Sequence, residues 1–399
     1  MEQLRVYRFQ MQPNAAQGML LSRFAGARRF VWNWALARRI AYDKENGTGI
    51  SRLALSAELT ALKSQPGTVW LREVDSQALQ QVLIDLYRAY DNFFERRAHS
   101  PRFKSRKRDE QRFRIPQRVG VRDGAVIVPK IGAIRIRQSQ TIEGKTKSAT
   151  FKRDATGKWY VSLVASFAMP DVALPAPNPD EVVGIDLGLK DFAVLSDGER
   201  IATPKFYRRR QRKLRRVSKA FSRTVKGSSG RVKAKHRVAL VHRKTANQRR
   251  DFLHKLSTRF VTRHGGLCIE DLSLKGMVRT KLSKSVSDAG MGEFRRMLEY
   301  KSLWHRKPIA VISRWYPSSK TCPVCGTIDD GLTLSDRLWK CDGCDITHDR
   351  DLAAAVNIRR EGLKQMVAVG HTETENAGGL AVRLPHREHA GVNPESHAL

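Results

Sequence analysis

The apolar positions of this chain change their period along its length. Residues 4–11 alternate, with Tyr7, Phe9 and Met11 on one side, and the alternation stops at Pro13-Asn14, so a strand leads into a helix. From Ala15 to about Tyr42, Leu20, Phe24, Val31 and Trp34 recur at helical intervals, as do Leu79, Leu83, Leu86, Tyr90 and Phe93 further on. Asn46-Gly47 and Pro66-Gly67 interrupt these runs, which gives a helical domain. Residues 125–128, 134–136, 149–151 and 159–165 are short β-rich runs between glycine turns, the pattern of a small antiparallel barrel. Residues 170–179 hold four prolines and read as a linker.

Beyond the linker, Val182-Val-Gly-Ile-Asp186-Leu-Gly188 is a buried-strand pattern interrupted by one carboxylate, and Lys190-Asp-Phe-Ala-Val-Leu195 supplies its hairpin partner. A second apolar run, Gly266-Leu-Cys-Ile-Glu270-Asp-Leu272, again ends on an acid. Asp351 opens an Ala-rich helix running to about Arg360, with Asp349 placed to cap it. An acid on its own is more often a turn or a cap than a ligand. Carboxylates inside two otherwise apolar strands are harder to dismiss, because an unpaired buried charge is costly. Asp186, Glu270 and Asp351 can converge on one or two divalent cations if their strands are neighbours.

Charge narrows the partner. The 399 residues carry 74 Lys and Arg against 39 acids, a formal net charge of +35, which suits a polyanion, and nucleic acid is the natural candidate. Residues 205–255 hold twenty Lys or Arg and one acid, Asp251. Leu214, Val217 and Phe221, then Val238, Leu240 and Val241, form thin apolar stripes there, with a break at Gly227-Ser-Ser-Gly230. These features predict two basic helices joined by a flexible tip and lying along a phosphate backbone. No apolar run approaches a membrane span and Met1-Glu-Gln-Leu-Arg lacks a signal-peptide pattern, so a cytoplasmic protein without a membrane partner is expected.

Four of the five cysteines fall in one window, Cys322-Pro-Val-Cys325 and, fifteen residues on, Cys341-Asp-Gly-Cys344. Two close thiolate pairs across a medium loop match a tetrahedral zinc knuckle better than disulfides or incidental thiols. Four thiolates leave no open coordination position, so this Zn2+ is structural and chemistry lies elsewhere. The fifth thiol, Cys268, sits in an apolar run and is expected in the core.

Gly184-Ile-Asp-Leu-Gly188, Ile269-Glu-Asp-Leu272, the four cysteines, and Asp349-Arg-Asp351 with the following Asn357-Ile occur in an order that resembles TnpB, the transposon-encoded relative of type V CRISPR effectors. Tyr7 to Pro13, Ser100-Pro-Arg-Phe-Lys104, Ser287-Asp-Ala-Gly290 and Tyr316-Pro-Ser-Ser319 fit as well, so the resemblance covers nearly the whole chain. It implies an α/β multidomain protein with a discontinuous wedge β-barrel, a helical recognition domain and an RNase H-like (RuvC) nuclease domain carrying a zinc-ribbon insertion. The corresponding boundaries are 1–12 and 112–178 for the wedge and linker, 13–111 for recognition, and 179–317 for the nuclease domain. They continue with 318–345 for the ribbon, 346–361 for a final nuclease helix and 362–399 for a tail that reads as disordered.

The same resemblance implies a monomer on a guide RNA derived from the transposon end, cutting double-stranded DNA beside a short adjacent motif. Its catalytic triad falls on Asp186, Glu270 and Asp351, holding two Mg2+ ions roughly 4 Å apart for in-line phosphodiester hydrolysis. One departure is visible: Ala353 stands where the family usually has Asn. Gln77 and Gln80, three apart at the start of the helix after Asp75, are candidates for reading the adjacent motif, since glutamine can bond an adenine edge in two places. A guide-dependent DNA-binding repressor, expected to have lost one or more acids, and a strand-transferring transposase are the alternative readings.

Overall fold

The computed structural model describes residues 2–168, 177–333 and 335–375. The chain divides into two compact units, Met1–Asp171 and Val172–Leu399.

The first unit opens with strand β1 (Glu2–Met11), in which Tyr7, Phe9 and Met11 are buried as the alternation requires. Helix α1 (Ala15–Asn46) starts at a reciprocal cap: the Asn14 side chain accepts from the Gln17 amide at 2.8 Å, and the Gln17 side chain accepts from the Asn14 amide at 3.1 Å. It ends at Gly47, whose φ of 67° suits a residue without a Cβ. Leu21, Phe24, Val31 and Trp32 carry its buried stripe, whereas Leu20 and Trp34 lie half-buried beside it. Helices α2 (Arg52–Leu62) and α3 (Ser76–Phe94) follow, and α3 is capped by the buried Asp75, which also pairs with Arg118 at 2.9 Å.

Strands β2 (Arg112–Ile115), β3 (Gly120–Arg122), β4 (Ala125–Val128), β5 (Gly132–Arg137), β6 (Lys145–Arg153) and β7 (Trp159–Ala168) complete this unit. With β1 they form a seven-stranded antiparallel sheet in the order β2-β6-β7-β1-β5-β4-β3. Among the described residues β2 and β3 are its ends, so the ladders do not close into the barrel that the strand pattern suggests. Phe113 of the end strand β2 packs on Phe24 of α1 at 5.2 Å and on Phe151 of β6 at 4.8 Å, so the helix covers this face of the sheet.

In the second unit, strands β8 (Val182–Asp186), β9 (Asp191–Leu195) and β10 (Arg200–Ala202) run antiparallel to one another in sequence. The two basic helices follow, α4 (Phe206–Ser222) and α5 (Ser229–Arg263), separated where Gly227-Ser228 breaks the pattern. The C-terminal half of α5 enters the core through Leu253, Leu256, Phe260 and Val261. Strand β11 (Gly266–Glu270), short helices α6 (Leu274–Met277) and α7 (Ser283–Ala289), helix α8 (Met291–Trp304) and strand β12 (Ile309–Ile312) come next. The five strands are ordered β10-β9-β8-β11-β12, with β8, β11 and β12 mutually parallel.

The ribbon contributes the small hairpin of β13 (Leu338–Lys340) and β14 (Thr347–Asp349), which leads directly into α9 (Arg350–Glu375). Helix α9 continues past Gly362, where the sequence suggests that order ends. A Cβ at Gly362 would lie 2.3 Å from the Cys268 sulfur, so this glycine permits a close helix–sheet contact and is not a stop signal. Leu363 and Met366 pack on the same cluster as Cys268. Of the proposed tail, residues 376–399 lie outside the described residues, as do residues 169–176 of the linker. Among the described residues no helix is long and apolar enough to cross a membrane.

Candidate functional site

Strand alternation sorts the side chains of β8 and β11 onto two faces. Val183, Ile185, Leu267 and Ile269 join the cluster built with α5 and α8, while Val182 and Cys268 join the cluster beneath α9. Asp186 and Glu270 follow the second register, so both carboxylates point to the α9 face at the carboxyl ends of parallel neighbours. Asp351, in the first turn of α9, is the third.

Burial pushes the Asp186 carboxyl up to about 7, and the charges of Asp351 and Glu270 push it the same way. Burial also raises Glu270, against the pull of a hydrogen bond from Ser318. Among the described residues no ion pair reaches Asp186. Asp351, by contrast, is held by Arg337, whose Nη1 lies 3.1 and 3.2 Å from its two oxygens. Arg337 belongs to the ribbon, and its carbonyl accepts from the Arg350 amide at 2.8 Å, so ribbon and helix start are tied twice.

Asp349 has a different task. It caps α9 by accepting from the Leu352 amide at 3.0 Å and pairs with Arg200 of β10 at 2.7 Å. Ala353 is buried on the helix face. Asn357, also buried, donates to the carbonyls of Ser318 and Thr321 at 2.9 and 2.6 Å and fixes α9 to the entrance of the ribbon.

The four knuckle sulfurs lie within 4.8 Å of one another, the only such group of three or more Cys, His, Asp or Glu among the described residues. The Cys322–Cys344 and Cys325–Cys341 separations are 3.6 and 3.5 Å. Thr327 pulls the Cys325 thiol down to about 6. The Ile346 amide pulls on Cys344, but burial and the facing sulfurs push it up to about 12. This is the signature of a set that cannot all ionise without a cation, and the donors fit zinc. His348, which sequence reasoning missed, places Nε2 3.2 Å from the Cys322 sulfur and leans on the Trp339 ring. Asp186, Glu270 and Asp351 do not form such a group.

Gln77 and Gln80 lie in the first turns of α3, both half-buried. Gln80 is engaged within its own unit, accepting from Ser56 of α2 at 3.0 Å. Nothing in sequence periodicity signals the Arg337–Asp351 pair, because its partners are brought together by the hairpin between them.

Residues 165–281 match the family described as a probable transposase, OrfB of IS605; residues 292–358 match the Cas12f1-like TNB domain. Residues 1–48 match a family described as a helix-turn-helix domain, although here they form β1 and the single long α1. A protein of Streptomyces pristinaespiralis named "Putative RNA-guided DNA endonuclease" is 39% identical, covering 97% of this chain and 98% of that protein. InsQ of Escherichia coli (strain K12), named in the same words, is 35% identical over 91% of this chain and 93% of its own. The solved Cas12f1–sgRNA–target DNA complex shares the fold at a TM-score of 0.51 and 14% identity, covering 86% of this chain and 82% of that one. With similarity this high over almost its entire length, the chain belongs to the TnpB family of IS605 OrfB-type proteins.

Proposed function

We propose that this protein is an RNA-guided endonuclease of a transposon, cutting double-stranded DNA next to a short adjacent motif. The observation that carries the reading is that Asp186 and Glu270 share one sheet face with Asp351 poised at the start of α9. Three acids drawn from distant parts of the chain are costly to gather on one face without a cation. The strand order, with three antiparallel strands followed by two parallel ones, is that expected of an RNase H-like (RuvC) domain. The names carried by the relatives point the same way.

The donor chemistry suits Mg2+, a hard cation that takes oxygen ligands. When bound, such ions supply charge stabilisation for the attacking and leaving oxygens of phosphodiester hydrolysis. The chain's own residues hold the geometry: β8 and β11 set Asp186 and Glu270, the Asp349 cap and the Asn357 bonds orient α9, and Arg337 neutralises Asp351 until a cation competes for it. Cys322, Cys325, Cys341 and Cys344 would hold Zn2+, which when bound would keep the hairpin that feeds into α9 folded. Helices α4 and α5 supply phosphate contacts that position nucleic acid without reading it. Sequence specificity then rests on pairing with a guide RNA from the transposon end. A cytoplasmic monomer on its RNA completes the proposal, with Gln77 and Gln80 as motif readers.

A repressor descended from such nucleases has no use for three intact carboxylates. A strand-transferring transposase would use a DNA hydroxyl in place of water. The deciding experiment loads the protein with RNA that co-purifies with it, adds a matched duplex and Mg2+, and follows both cutting and joining. Cut, unjoined ends that depend on guide match support the proposal; joined ends favour the transposase, and tight guided binding without cutting favours the repressor.

A further inference from the structure

Trp315 is 87% exposed, whereas the residues around it are fixed. Its amide donates to the Ser313 hydroxyl at 3.3 Å, the Tyr316 amide to the Ser313 carbonyl at 3.1 Å, and the Ser318 amide to the Tyr316 carbonyl at 2.8 Å. Arg314 before it is locked on Asp271, with Nε 3.0 Å from the carboxylate, and Tyr316 after it packs on the cluster beneath α9. Among the described residues the indole has neither a ring contact nor a side-chain hydrogen bond.

Its position gives the exposure meaning. Trp315 follows the carboxyl end of β12, whose last residue, Ile312, is paired with Glu270, and the Asp271 amide donates to the Ile312 carbonyl at 3.1 Å. Ser318, three residues on, bonds the Glu270 carboxylate. A rigid turn therefore presents a large, flat, unpartnered ring beside the candidate carboxylates, on a chain whose charge of +35 draws nucleic acid to it. Single exposed apolar residues are ordinary on protein surfaces. An indole held out by an anchored turn next to a hydrolytic centre is a stacking platform, because every base offers a π-face and stacking tolerates any sequence.

We infer that Trp315 stacks on an unpaired base of the DNA strand entering the carboxylate site and so sets the strand's position for cutting. This inference rests on the endonuclease reading. Stacking uses the ring and not its apolar bulk, so Phe should substitute for Trp while Leu should not. The occupant is a base of single-stranded DNA; an apolar partner protein or a second copy of this chain would reveal itself as a change in assembly state.

The test uses guide-loaded protein and matched duplexes with 2-aminopurine placed in turn at each position around the cut, first in buffer without Mg2+ or chelator, which leaves a structural Zn2+ in place, and then with Mg2+. Without Mg2+, wild-type protein should quench 2-aminopurine at one or two positions; Trp315→Ala and Trp315→Leu should lose the quenching and Trp315→Phe should keep part of it. With Mg2+, the Ala and Leu variants should cut roughly 5- to 150-fold more slowly at unchanged guided affinity, the range expected for one lost stack. Equal quenching and cutting by wild type and Trp315→Ala would overturn the inference. So would full activity of Trp315→Leu, or a changed oligomeric state in Trp315→Ala. If wild-type protein fails to cut a matched duplex, the endonuclease reading fails, while the quenching arm still reports on the platform.

Discussion

Gly184 and Ala355 touch backbone to backbone: a Cβ added at Gly184 would lie 2.1 Å from the Ala355 carbonyl oxygen and 2.6 Å from the Arg359 amide nitrogen. No side chain can bend away from such a contact, so α9 lies on β8 only because residue 184 is glycine. Two residues further along β8 comes Asp186, and one turn back along α9 comes Asp351. Their separation depends on this contact.

Gly184→Ala should therefore act as a geometric probe. Overpacking at a closed contact costs on the order of 3 kcal/mol, and the helix must lift or slide to relieve it. The variant should melt at lower temperature and, where still folded, lose far more cutting than guided binding. Thermal melts with parallel binding and cleavage assays check this; normal cutting by a fully folded Gly184→Ala protein would mean that the α9–β8 contact does not position the carboxylates.

Much of this site was readable from the sequence. Asp186 and Glu270 stood out because each interrupts an apolar strand, and the structure turns both to the face covered by α9. The extent of α9 was not readable, since Gly362 looks like a helix stop until Cys268 is seen beneath it. An unclosed sheet was not readable either, because strand periodicity reports which face is buried and not whether the edges meet. Arg337 on Asp351 and His348 against Cys322 depend on a hairpin folding back on itself, which no local pattern encodes.

Replacing Cys322 or Cys344 by Ser should remove close to one equivalent of zinc and loosen residues 318–345, because binding and local folding are coupled. Since β14 runs straight into α9, cutting should fall as well. Metal analysis with hydrogen exchange over this segment is the check, and unchanged zinc in both variants would show that these thiols are not ligands.

Lys301 is 6% exposed and donates at 2.7 Å to each of three oxygens on α5, those of the His254 carbonyl and the Ser257 and Thr258 hydroxyls. Burial lowers its pKa from 10.5 to about 8. Between these values the unfolded chain binds the proton that the folded protein has released, so stability should rise with pH across that window, by at most ~3 kcal/mol. Lys301→Met should lack this rise. Melts of both proteins at pH 7.5 and 9.5 test it, and an equal pH response would contradict the assignment.

Gln80→Ala should shift the preferred adjacent motif while leaving guide RNA binding intact, and Gln77→Ala should do the same from the neighbouring turn. Because Gln80 also holds Ser56, a small loss of stability is expected in that variant alone. Selection of cut targets from a randomised motif library is the measurement; identical motif profiles for wild type and both variants would remove these residues from recognition.

The central claim is that Asp186, Glu270 and Asp351 act as one cation-binding unit, with Asp349 serving as a helix cap. Guided binding and guided cutting measured side by side for Asp351→Ala and Asp349→Ala test it most directly. Asp351→Ala should abolish cutting and keep guided binding, since affinity draws on many phosphate contacts. Asp349→Ala should lose about 0.5–2 kcal/mol of stability and retain cutting. A dead Asp349 variant beside a fully active Asp351 variant would contradict the assignment of the third ligand, and full cutting by both would contradict the three-carboxylate site itself.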